Sequence, residues 1–160
     1  MEYELQRAAR ECAATGRQFE PGEAFFSVLV TERSELRRYD YAVDAWRGPP
    51  DDVDVVGWWR SHMPGGQSTK TTWAPSDVML DLFDRLRDQD DQRDALFVLA
   101  LLLVRRRIMR LESSEETDAT GGEVLLLRCS RRDAEYRVPV AQPSPDRVEV
   151  IQQRLAALLQ

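Results

Sequence analysis

The sequence predicts an α+β domain, and three observations carry that prediction. Short apolar runs with period-two alternation fill much of the first 63 residues. Two helical stripes then follow residue 75. A second pair of strand-like runs precedes a last amphipathic segment. Strands, helices, strands and a helix in that order describe α+β rather than alternating βαβ units.

The elements can be justified in turn. "AFFSVLV" (24–30) and "LRRYDYA" (36–42), separated by "TERSE", read as an antiparallel hairpin in which Phe26, Val28 and Val30 share a face. "GPPDD" (48–52) is a turn, and "VDVVGWWRSHM" (53–63) is a third strand completing an N-terminal antiparallel meander. The Gly, Ser, Thr and Pro content of residues 64–75 marks a connector between a β-rich half (11–63) and an α/β half (76–160) of one domain. Ser76 is placed to cap the next helix, where Val78, Met79, Leu82, Phe83 and Leu86 form a stripe. After "RDQDDQ", with Asp91 as cap, a helix running to about Arg110 is apolar almost all round, which predicts a central buried helix. Residues 112–123 read as a loop, "VLLLRCS" and "EYRVPV" as a C-terminal hairpin, and Ser144-Pro145 as the start of the terminal helix. Val148, Ile151, Leu155 and Leu158 supply that helix's core stripe.

Length and composition bound the function. A chain of 160 residues with 42% apolar and 31% charged side chains can bury a core without metals or disulfides. The net charge of −6 argues against general binding of nucleic acid, whose affinity comes from neutralising phosphates. Its longest apolar run, Ala95 to Val104, is half of the ~20 residues that span a bilayer. The N-terminal "MEYELQRAAR" has no signal-peptide core. The expectation is therefore a cytoplasmic protein with two reduced cysteines, Cys12 and Cys129, and no membrane association.

Residues 11–46 raise the question of a metal. Cys12-Ala-Ala-Thr15-Gly16, a Pro-Gly-Glu turn, a strand and then Ala42-x-x-Ala45-Trp46 resemble a zinc-ribbon half that has lost its ligands. One ligand of four cannot hold zinc, so no metal site is expected. Two readings of the segment stay open, a metal-free descendant and an unrelated hairpin in which Cys12 is a small packed residue. Over nearly the whole chain, "CAATGR…PGE", "RRYDYAVDAW", "GPP…GWWRS", "VLALLLVRRR" and "LLLRCSRRDAEYRVPV" resemble a family of uncharacterised bacterial proteins of the planctomycete type. That resemblance implies a compact domain and brings no catalytic residue with it.

No catalytic constellation is legible, and no cofactor is implied. His62 is the only histidine, and "WWRSHMPGG" has neither a nucleophile elbow nor a glycine-framed serine. "TGGE" lacks the lysine and hydroxyl of a phosphate loop. Asp77, Asp81, Asp84 and Asp88 lie opposite an apolar stripe, as a solvated helix face does. What remains is a recognition patch. Alternation puts Trp58, Arg60 and His62 on one face and Trp59 on the other, with Trp46 nearby, and Trp and Arg dominate binding hot spots. The expected function is a non-enzymatic module that binds a protein partner through Trp46, Trp58, Arg60 and His62. The alternative is association with nucleic acid through Arg105, Arg106, Arg107, Arg131 and Arg132.

Overall fold

The computed structural model describes residues 10–65, 73–116 and 122–160. Most of the expected connector and the tip of the expected 112–123 loop lie outside them. The described residues form an α+β fold with two three-stranded antiparallel sheets and three α-helices. In chain order these are β1 (Ala24–Glu32), β2 (Glu35–Ala42), β3 (Asp54–His62), α1 (Ser76–Arg87), α2 (Arg93–Arg105), β4 (Arg110–Glu116), β5 (Glu123–Cys129), β6 (Ala134–Pro139) and α3 (Pro145–Leu159). They sort into two compact units, Met1–Asp81 with Gln153–Gln160, and Leu82–Gln152. No helix among the described residues is long and apolar enough to cross a membrane.

In the first unit the strand order is β2-β1-β3, so the most apolar strand is central. β1 and β2 are joined by Arg33 and Ser34, both at positive φ (51° and 66°), a backbone that matches the right-handed twist of a tight hairpin. One face of this sheet carries Phe25, Ser27, Leu29, Trp59 and Ser61, all buried. The beginning of α1 packs there. At Gly57 an added Cβ would lie 2.8 Å from a Val78 methyl, so only glycine admits the helix this close. Met79 and Leu80 are fully buried. The Pro75 carbonyl accepts from Val78 and Met79, so the helix starts one residue ahead of the expected Ser76 cap.

The second unit builds its core from Leu82, Phe83 and Leu86 of α1, the inner side of α2, and β5 and β6. Phe83 meets Tyr136 edge-on with ring centroids 5.3 Å apart, and the Arg87 guanidinium covers the Tyr136 ring at 4.8 Å. α2 is less enclosed than its composition predicts, since Leu101 is 46% exposed. The terminal helix is capped as expected, with Ser144 Oγ accepting from the Arg147 N–H at 3.3 Å.

Two expectations are corrected here. The helix predicted to reach Arg110 stops at Arg105. Arg107 takes a left-handed conformation (φ 62°), and Ile108 and Met109 donate back to the Leu103 carbonyl. The first residues of the segment read as a loop, 112–116, belong instead to the edge strand Arg110–Glu116 of a sheet ordered β4-β5-β6, so the expected C-terminal hairpin of β5 and β6 gains a third strand. Every residue of β4 is exposed, which is why it shows no apolar alternation.

Candidate functional site

The second face of the first sheet is aromatic at one end. Pairing puts Phe26 of β1 between Tyr41 of β2 and Arg60 of β3, and puts Val28 between Tyr39 and Trp58. Trp46 reaches back from the turn after β2 and stacks on Phe26, with centroids 5.2 Å apart and planes at 10°. Trp58 tilts against both Phe26 (6.2 Å) and Trp46 (5.7 Å), and Tyr41 tilts against Trp46 (5.4 Å). The Arg60 guanidinium lies 5.9 Å from the Phe26 centroid. Four rings and one cation therefore form a single cluster.

This cluster is partly open to solvent. Trp58 is 46% exposed, Arg60 and His62 are exposed, and Phe26, Tyr41 and Trp46 are half-buried, while Val28 and Val30 on the same face are buried. The split between Trp58 and Trp59 follows the alternation read from the sequence. Arg60 and Arg47 form no ion pair among the described residues; Arg47 donates only to the carbonyls of Asp44 and Trp46. Burial pushes the Tyr41 phenol above its usual pKa, and the nearby Cys12 and Glu32 charges act in the same direction. The structure thus brings together Trp46, Trp58 and Arg60. It adds Phe26 and Tyr41, which the sequence reading left as ordinary strand residues. Their signal was the β1–β2 register, which places them opposite each other.

The opposite face of the same sheet holds a buried polar cluster that the sequence reading missed. Asp40 Oδ1 accepts from Ser27 (2.7 Å) and from Arg38 Nε (3.1 Å), and Asp40 Oδ2 accepts from Arg10 (3.0 Å). Arg38 also donates to Ser27 Oγ and to the carbonyls of Ala157 and Leu158 at the end of α3, and it lies over the Trp59 ring at 5.1 Å. Burial lowers the Arg38 pKa to about 10, with the Asp40 charge pulling it back up. With both Asp40 oxygens, the Ser27 hydroxyl and all three Arg38 nitrogens engaged by neighbours, this arrangement is structural.

Beside it lies the segment that resembles a zinc-ribbon half. Cys12, Phe19, Phe25 and Ala42 form one buried cluster, with Ala45 packed against it. Phe19 and Phe25 stack with centroids 4.7 Å apart. Cys12 is 1% exposed, and its Sγ accepts from the Ala42 N–H at 3.4 Å. Burial pushes this thiol up, but hydrogen bonds from the Thr15 hydroxyl and from the N–H groups of Ala42, Thr15 and Ala14 outweigh it and hold the pKa below the usual thiol value. Cys12, Thr15, Ala42 and Ala45 thus stand close together, and only Cys12 is a metal ligand. These residues do not fit a zinc ion. Among the described residues no group of three or more His, Cys, Asp or Glu side chains is placed to hold a metal.

The arginines of the nucleic-acid alternative belong to the second unit. Arg132 is paired with Asp84 at 2.6 Å, and Arg128 next to this turn is paired with Asp133 at 2.7 Å. Arg106 and Arg131 are also engaged, leaving Arg105 and Arg107 as exposed cations at the end of α2. Arg105 sits where a cation complements the negative pole of a helix. Asp84 also meets Arg87 at 3.5 Å, so part of the aspartate row is absorbed in ion pairs. No family model, curated protein or solved structure matches the chain.

Proposed function

We propose that this protein is a non-enzymatic interaction module that engages a protein partner through the aromatic end of its first sheet, with Trp46, Trp58 and Arg60 at the contact and His62 at its margin. One observation carries this reading: Trp58, nearly half exposed, is held in a four-ring cluster with Arg60 over Phe26. Rings fixed by their neighbours lose little freedom on binding, so their apolar area converts to affinity at low entropic cost. A large exposed apolar side chain beside arginines that form no ion pair among the described residues also has the composition of an interface hot spot.

The test is capture by the tagged full chain from its native lysate, with and without nuclease, compared with Trp58→Ala and Arg60→Ala. The expected result is a reproducible protein partner that survives nuclease and is lost from Trp58→Ala, whose truncation should cost about 2 kcal/mol or more of binding. Circular dichroism of the variants should match the parent chain, because Trp58 lies outside the buried set. Recovery that collapses on nuclease treatment would replace this reading with the nucleic-acid one and make Arg105 and Arg107 the residues to substitute.

A further inference from the structure

The phase of the β1–β3 pairing has a consequence for the open edge of the first sheet. Met63 donates its N–H to the Glu23 carbonyl at 2.9 Å. In an antiparallel ladder this makes Ala24 and His62 a non-hydrogen-bonded pair, and it makes Phe25 and Ser61 the bonded one. Counting back along the regular part of the ladder, Ser61 and Trp59 turn their backbone groups toward β1. Trp58, Arg60 and His62 turn theirs outward. No strand among the described residues pairs with that outer edge. The three residues whose side chains face the aromatic end therefore also turn backbone donors and acceptors outward beside it.

Charge narrows the occupant. Arg60 over the Phe26 ring and Arg47 next to Trp46 are exposed cations at this end, on a chain whose net charge is −6. Glu32 accepts from the Tyr39 hydroxyl at the far end. Asp44, Asp51 and Asp52 stand in the β2–β3 connection and Asp54 opens β3, yet no carboxylate among the described residues forms an ion pair with Arg47 or Arg60. An extended segment added to β3 would bond its main chain to the outward groups and lay alternate side chains over Trp58 and toward Arg60. We infer that the partner supplies an extended acidic segment, alternating carboxylate and apolar side chains, which joins β3 as a fourth strand.

This rests on the aromatic end being the interaction surface. The experiment is an NMR titration of the isotopically labelled full chain with a short acetylated peptide alternating Glu with Val and Leu, and with the same peptide carrying Gln for Glu. The expected result is movement of the Trp58, Arg60 and His62 amide signals, binding that weakens as salt rises, and affinity for the Gln peptide lower by roughly tenfold. His62→Pro removes one outward N–H at an edge position that tolerates proline, and should weaken the Glu peptide roughly threefold to tenfold while distant signals stay in place. Should His62→Pro fail to fold, Arg60→Gln, which keeps the backbone intact, should weaken the Glu peptide and spare the Gln peptide. Equal binding of the two peptides, or binding that leaves the three amides unmoved, overturns the inference. So does displacement of the peptide by an oligothymidine, which would assign the edge to single-stranded nucleic acid. Trp58-dependent partner capture together with unmoved β3 amides would leave the interaction module standing and sink only the acidic strand.

Discussion

Arg38 decides more than any other single residue in the first unit. Its side chain is 4% exposed, and its guanidinium meets Asp40, Ser27, the Trp59 ring and two carbonyls at the end of α3. An arginine in that position is tolerable only because its donors and its charge are engaged at once. Arg38→Met keeps most of the volume and removes the charge that answers Asp40, so it should cost about 3–5 kcal/mol in urea denaturation. Arg10→Ala should cost less, because Asp40 keeps Arg38. A loss below about 1 kcal/mol for Arg38→Met would show that the cluster contributes little to the fold. None of this was legible beforehand: "RRYD" in a strand reads as a polar face, and nothing in the sequence says that this polar face is the buried one. The alternation of Trp58 and Trp59 was legible, because one tryptophan had to face the core whichever way the strand was turned. Of the aromatic end, Trp58 and Arg60 could be read from one strand, whereas Phe26 and Tyr41 needed the register between two.

At the scale of elements, backbone conformations usually marked by glycine are taken here by other residues. The β1–β2 turn uses Arg33 and Ser34 where Asn-Gly would have announced it, and α2 ends on Arg107 rather than on glycine. With no glycine to stop it, the apolar and arginine-rich run reads on as helix to Arg110. The following strand, "RLESSEE", is polar on both faces because it is an exposed edge, so only its pairing with β5 reveals it. The strands of the first sheet and the terminal helix were legible because alternation, or a Ser-Pro cap, marked them directly. The left-handed end of α2 carries a prediction. Arg107→Val puts a β-branched residue at φ 62° and should destabilise by about 1–2 kcal/mol, whereas Arg107→Gly should leave the denaturation midpoint unchanged or raised. Equal midpoints for the two variants would mean that the helix end relaxes freely and that the left-handed turn does not define it.

For the molecule as a whole, the question is whether two compact units make one cooperative protein. The four tryptophans, Trp46, Trp58, Trp59 and Trp73, all fall in the first unit, so intrinsic tryptophan fluorescence reports that unit alone. Far-ultraviolet circular dichroism reports mainly helix, and α2 belongs wholly to the second unit. The unit boundaries fall within α1, between Asp81 and Leu82, and within α3, between Gln152 and Gln153. Each of these helices buries side chains in both cores: Met79 and Leu80 against Leu82 and Phe83 in α1, and Ile151 against Leu155 and Leu159 in α3. Losing either core frees half of each helix, and fragments of that length are marginal in water without tertiary packing. Unfolding one unit therefore removes support from the other. The expected outcome is a single urea transition with the same midpoint and slope by fluorescence and by circular dichroism. A fluorescence transition separated from the dichroism transition would show that the shared helices do not couple the units. In that case substitutions in the first sheet, including those at Arg38 and Trp58, would have to be interpreted against the stability of that unit alone.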